Sequence, residues 1–195
     1  MHHPFEYIRV GVRDRMIFPL IGLGLLLFFL LNLVGSPLVT PTAPYGIVSF
    51  ELARNPAQAQ AILDSWEQPA QLRAAFSLGL DFLFIPIYST GLTLCCLWAA
   101  QFQRERRRFP NWLVLIGIPG ILLAWAQTLA GGLDLIENLA LINMLLGSVS
   151  APWPQVSSIC ATVKFSLVGM GILYSLLAAL AYTGAIITHR QRAGI

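Results

Sequence analysis

Four stretches of the chain, at about 17–34, 76–100, 112–133 and 159–188, carry almost no charge, and each is as long as a bilayer is thick. A hydrocarbon core of about 30 Å takes roughly 20 residues at about 1.5 Å of rise each. An isolated strand in hydrocarbon would leave its backbone donors and acceptors unpaired, so each stretch must be helical. The expected fold class is all-α: an integral membrane protein built as an antiparallel bundle of four transmembrane helices, residues 1–195 forming a single domain. Composition agrees. A chain that is 56% hydrophobic and 11% charged, with mean hydropathy +0.70, holds more apolar side chain than a soluble domain of this size buries. The first stretch exceeds a signal-peptide core of about 7 to 15 residues and no small-residue cleavage pattern follows it, so it is expected to be a retained helix.

The arginines sort by side. Arg9, Arg13 and Arg15 precede the first stretch, Arg104, Arg106, Arg107 and Arg108 fill the second connection, and Arg190 and Arg192 follow the fourth, making nine of the twelve Lys and Arg. Arg54 and Arg73 stand in the first connection, and none stands between Gly147 and Ser158. The positive-inside rule then places both termini and residues 101–111 in the cytoplasm, for a multi-pass protein of the plasma (inner) membrane. The same pattern accounts for the net charge of +3. A nucleic-acid patch at Arg104-Glu105-Arg106-Arg107-Arg108 is the weaker account, and no nucleic-acid partner is expected. Membrane lipids are the expected partners, with a small-molecule ligand, a membrane-protein partner or a second copy left open.

Between the first two stretches lies an outer connection, residues 35–75. Its start, with Pro37, Pro41 and Pro44, reads as turn-rich. A short helix is expected at about 56–67, capped by Asn55 with Pro56 in its first turn, and with Ala59, Ile62, Leu63 and Trp66 on one side. It could lie on the membrane surface with Trp66 at headgroup depth, or cap the bundle mouth. In the third region, Trp112 to Leu146 as one straight helix would measure about 52 Å. A kink near Pro119-Gly120 is one solution. The other, favoured because Gly131-Gly132 offers a break and Asp134, Glu137 and Asn138 want water or partners, has the helix emerge near Asp134 and an outer segment run over 135–147.

Cys95 and Cys96 are adjacent and Cys160 is expected most of a membrane thickness away, so no disulfide is expected. His2, His3 and His189 are expected at the cytoplasmic ends, which leaves no haem pair or zinc triad for the bundle; no metal and no cofactor is expected.

The chemistry gathers around the chain's single lysine. Lys164 stands inside the fourth stretch on one stripe with Gly171, Ser175 and Tyr182. An intramembrane charge is costly unless it is paired or faces a wet cavity, so Lys164 should face the bundle. Asp81 on the second stretch shares a stripe with Tyr88, and lies about 12 Å inward from Arg73, close to the depth of Lys164 at about 15 Å from Pro154. Gln127, Asp134 and Asn138 align on the third, with Glu137 beside them. Lys164 is expected to pair with Asp81 or Asp134. Asp81, Asp134 and Glu137 against one lysine give 1 − 3 = −2 if all ionise, so a carboxyl must keep a proton or a cation must join; Glu51 or Arg54 from the outer connection could complete the site. The alternative is an ion-paired core that only fixes helix packing.

The runs Ser49-Phe50-Glu51-Leu52-Ala53, Leu80-Asp81-Phe82-Leu83-Phe84 with Tyr88, and Leu133-Asp134-Leu135-Ile136-Glu137-Asn138 resemble bacterial four-helix membrane proteins. The resemblance covers the middle two-thirds of the chain and implies neither an activity nor a site. Three functions follow from the residues: binding or moving a small polar or amphipathic molecule, or protons, at the cluster; a structural or accessory subunit in which the cluster is packing glue; and a lipid-acting membrane enzyme.

Overall fold

In a computed structural model, residues 3–7, 10–104 and 110–193 are described, and all regular structure among them is helical. The order is α1 (Val10–Gly35), α2 (Ile47–Glu51), α3 (Pro56–Asp64), α4 (Gln68–Arg104), α5 (Asn111–Gly117), α6 (Gly120–Leu145) and α7 (Trp153–Ala193), with 3-10 turns at Pro4–Tyr7 and Ser36–Leu38. Four spans are long and apolar enough to cross a membrane: Val10–Leu38, Gln68–Gln103, Asn111–Leu145 and Trp153–Ile187. They contain the four expected stretches, each beginning earlier in the chain than expected. Arg9 and Arg106–Arg108 lie outside the described residues.

α4 is the central element, packed against α1 on one flank and α6 on another, while α7 lies along α6 and also touches α4. α1 rests mainly on α4, and most of its surface is uncovered. Small residues set the close approaches. A Cβ on Gly120 would stand 2.7 Å from the Cys96 carbonyl oxygen and 2.8 Å from the Tyr174 hydroxyl, and one on Gly171 would overlap the Gln127 amide. At the end carrying the N-terminal arginines, Gln101 Nε2 donates to Asp14 Oδ1 at 3.2 Å, and Arg13 Nε lies 3.4 Å from the same oxygen.

One expectation needs correction, and one alternative left open is decided. The third region is not interrupted at Gly131-Gly132; α6 runs unbroken through both, and the break falls at Ile118-Pro119, between α5 and α6. Proline has no N–H to give the ladder, whereas Gly131 is filled by its neighbour: Ser89 would stand 3.0 Å from a Cβ there. Asp134, Glu137 and Asn138 are consequently buried partners rather than groups in water. Trp66, for its part, is not a surface anchor. It is 2% exposed, donates from Nε1 to the Leu38 carbonyl at 2.9 Å and meets Phe50 edge-on. Residues 35–75 thus form a cap with its own core, in which Phe50, Ile62, Leu63 and Trp66 pack on Leu141 and Met144 of α6. Its expected helix is α3, where Asn55 accepts from the Gln58 N–H at 2.9 Å; α2 was not expected.

Candidate functional site

α6 supplies most of the site, because residues three, four and seven apart share a helix face. Asp134, Glu137 and Asn138 all point toward α4 and α7. Lys164 of α7 meets them: Nζ donates to Asp134 Oδ1 at 2.5 Å and to Glu137 Oε1 at 3.0 Å. The second Asp134 oxygen accepts from the Tyr88 hydroxyl of α4 at 2.7 Å. Asp134 is thereby held from two sides, by an ammonium and a phenol. One turn on, Asn138 Nδ2 donates to Asp81 Oδ2 at 2.7 Å. Of the two aspartates expected as partners for Lys164, the structure selects Asp134 and adds Glu137; Asp81 is joined to the cluster through Asn138.

Glu51, at the end of α2, closes the site from the cap. Its Oε2 lies 4.0 Å from Lys164 Nζ, and its backbone carbonyl accepts from the Ser157 hydroxyl at the start of α7 at 3.0 Å. Gln127 does not join. Its Nε2 donates to the Leu167 carbonyl at 2.8 Å, and its amide fills the space left by Gly171, so it fastens α6 to α7 below the cluster.

Most of the cluster is buried. Glu137 is fully buried, Asn138, Asp134 and Lys164 are 1, 3 and 7% exposed, and grooves of 320 and 430 Å³ elsewhere on the molecule are lined by other residues. Four carboxyl groups, those of Glu51, Asp81, Asp134 and Glu137, surround one ammonium, so complete ionisation would leave 1 − 4 = −3 in a dry interior. Two carboxyl oxygens there, Glu51 Oε2 and Glu137 Oε2, have no hydrogen-bond donor, although Glu137 Oε2 is 3.0 Å from the Lys164 nitrogen, whose hydrogen bond is directed at Oε1 instead. Burial pushes the Glu51 carboxyl above its usual range, with the charge of Lys164 opposing.

Among the described residues no group of His, Cys, Asp and Glu is arranged to hold a metal ion. His3 is the side chain misplaced by the sequence reading. Expected at the end of the bundle, it is 2% exposed and accepts or donates at Thr128 Oγ1, 3.1 Å away, against α6. A residue ahead of the first helix gives no periodic signal from which such a return could be read. The chain matches no protein-family profile, no curated protein and no solved structure.

Proposed function

We propose that the chain is a four-pass protein of the plasma (inner) membrane whose Lys164 cluster binds protons and passes them along the bundle. The carrying observation is the gathering of four carboxyl groups, those of Asp134 and Glu137 buried and those of Glu51 and Asp81 half-buried, around a single ammonium, with one oxygen each of Glu51 and Glu137 lacking a donor. Removing that many carboxylates from water is far more costly than keeping protons on some of them, so the site holds protons and gives them up as charge is added nearby.

Helix order supports the topology. Leu20 and Gly24 of α1 lie against Gly91 and Ile87 of α4, in reverse order; Asp81 and Thr93 pair with Asn138 and Ala124, and Gln127 and Asp134 pair with Leu167 and Lys164. This order supports antiparallel successive spans and, with the positive-inside rule, the reading in which both termini and residues 101–111 are cytoplasmic and the cap lies outside. Lipid surrounds α1 and the exposed apolar face of α7.

Infrared difference spectroscopy between acid and alkaline buffer tests the reading. The C=O stretch of buried carboxylic acid should disappear on the alkaline side and be altered in Glu51→Gln. A spectrum without a titrating carboxylic band would end the proposal.

The accessory-subunit reading has its own support, since neither the 320 nor the 430 Å³ groove is lined by a residue of the cluster and α1 leaves most of its surface uncovered. A small polar ligand would need the cap to lift first.

A further inference from the structure

We propose that the 430 Å³ groove between α4 and α6 binds a neutral phenol dissolved in the bilayer, whose hydroxyl donates to the backbone carbonyl of Phe82. The site is separate from the Lys164 cluster and does not depend on the proton reading of it.

The α4 residues of the groove fall within 82–93 and its α6 residues within 128–135, near the middle of the spans Gln68–Gln103 and Asn111–Leu145. In a bundle that crosses the bilayer this depth is hydrocarbon, so the occupant comes from the lipid phase and not from water. Glycines make the space. At Gly131 the two helices are close, and a Cβ would stand 3.0 Å from Ser89, but at Gly132 nothing lies within 4 Å of the Cβ position. Phe5 of the N-terminal turn forms part of the wall, next to His3, whose Nε2 is 3.1 Å from Thr128 Oγ1. The volume is within the range of about 300–1,000 Å³ that takes a drug-sized molecule.

The chemistry of the wall selects the class of molecule. Pro86 stands inside the unbroken α4 and has no N–H, so the carbonyl of Phe82, four residues earlier, loses its helical donor. Phe82 and Pro86 both line the groove. The hydroxyls beside them are engaged elsewhere: Ser89 donates to the Ile85 carbonyl at 2.6 Å, and Thr93 and Thr128 each donate to that of Ala124 at 3.3 Å. Three of the four hydroxyls in the wall therefore offer the groove oxygen lone pairs and no proton. A carbonyl without a donor is costly in hydrocarbon, and a ligand that brings the donor removes that cost. The lining residues carry no ionisable side chain, so the matching donor is a neutral hydroxyl and not an ammonium. Phe5 and Phe82 add aromatic surface, against which a ring packs better than an alkyl chain does. A phenol combines the ring, the neutral donor and solubility in lipid. An acyl chain would fit the apolar wall and leave the carbonyl as it is.

The test uses the full chain in phosphatidylcholine vesicles with a dialkylphenol that carries a diazirine, and with its methyl ether, which keeps the ring and lacks the donor. After irradiation, mass spectrometry should find the phenol on residues within 82–93 and 128–135. The ether should mark the same residues about three- to tenfold less, the worth of one neutral hydrogen bond. Pro86→Ala returns an N–H to α4 and pairs the Phe82 carbonyl, so there the phenol should lose its advantage over the ether. Gly132→Leu, which adds bulk at a position with open space, should lower labelling by both. Equal labelling of the wild type by phenol and ether would overturn the proposal whether or not either variant folds, because the groove would then hold any apolar molecule. Labelling spread over the exposed face of α7 would overturn the site. A phenol preference that survives Pro86→Ala would overturn the Phe82 carbonyl as its acceptor.

Discussion

Removing the ammonium of Lys164 strands Asp134 and Glu137, for which it is the salt-bridge partner among the described residues, because Tyr88 alone cannot neutralise Asp134. Lys164→Met is expected to destabilise by about 3–5 kcal/mol, the range for breaking a buried pair from one side. Lys164→Met with Asp134→Leu should recover much of that, whereas Lys164→Met with Asp81→Leu should not, since Asp81 is bonded to Asn138. Thermal unfolding of the three variants in detergent measures this, and equal rescue by both second changes would break the observed pairing. Glu51 gives a pH-dependent counterpart. Its folded carboxyl holds a proton more tightly than the unfolded chain does, so its share of stability is present below 4.5 and is lost as pH rises through the raised folded value. Glu51→Gln should match wild type in acid, exceed it in alkali and flatten the curve between. Much of this site is legible in sequence. A lone lysine in an apolar run, with acids at helical spacing on other runs, leaves few pairings open. Three-dimensional packing had to choose Asp134 over Asp81, because depth along a helix is known from sequence only to within about a turn, or about 5 Å.

Among the elements, the glycines divide sharply by what surrounds them, and the break in the third span follows the same logic. Gly131-Gly132 looks like a breaker in isolation, yet the helix runs through both residues and Gly131 serves to admit Ser89. Pro119 removes one ladder donor, as Pro19 and Pro86 do inside unbroken helices, but here the helix also ends, and Gly120 beside it lets α6 approach α4 at Cys96. Gly120→Ala should accordingly cost about 1–3 kcal/mol, since its Cβ would meet backbone that cannot swing aside. Gly132→Ala meets nothing and should be neutral or stabilise by up to about 1 kcal/mol through helix propensity. Unfolding in mild detergent compares the two; a loss at Gly132 equal to that at Gly120 would mean that the α4 and α6 contact is misplaced. The cap shows the complementary failure of sequence reading. Its apolar face on α3 was visible as a pattern, but periodicity says which side is apolar and not what covers it, and here Leu141 and Met144 do.

At the scale of the whole molecule, the antiparallel order and the distribution of arginines make one joint statement about sidedness. Asp64 lies exposed on the cap, while Asn111 lies exposed at the opposite end, where α5 begins after the arginine-rich connection. If the spans cross the bilayer with the cap outside, the two positions are separated by the full hydrocarbon thickness of about 30 Å. In a background lacking Cys95, Cys96 and Cys160, Asp64→Cys should react with an impermeant maleimide on intact cells, and Asn111→Cys only after the membrane is opened. The sense of the result follows from charge. Positive residues resist translocation, and the two arginines of the cap, Arg54 and Arg73, are outnumbered by the nine at the other end. Labelling of Asn111→Cys on intact cells with Asp64→Cys protected would invert the protein, and would turn the Glu51 carboxyl toward the cytoplasm. Labelling of both would mean that one of the four apolar helices fails to cross. α1 is the element to suspect then, because among the long spans it rests mainly on α4.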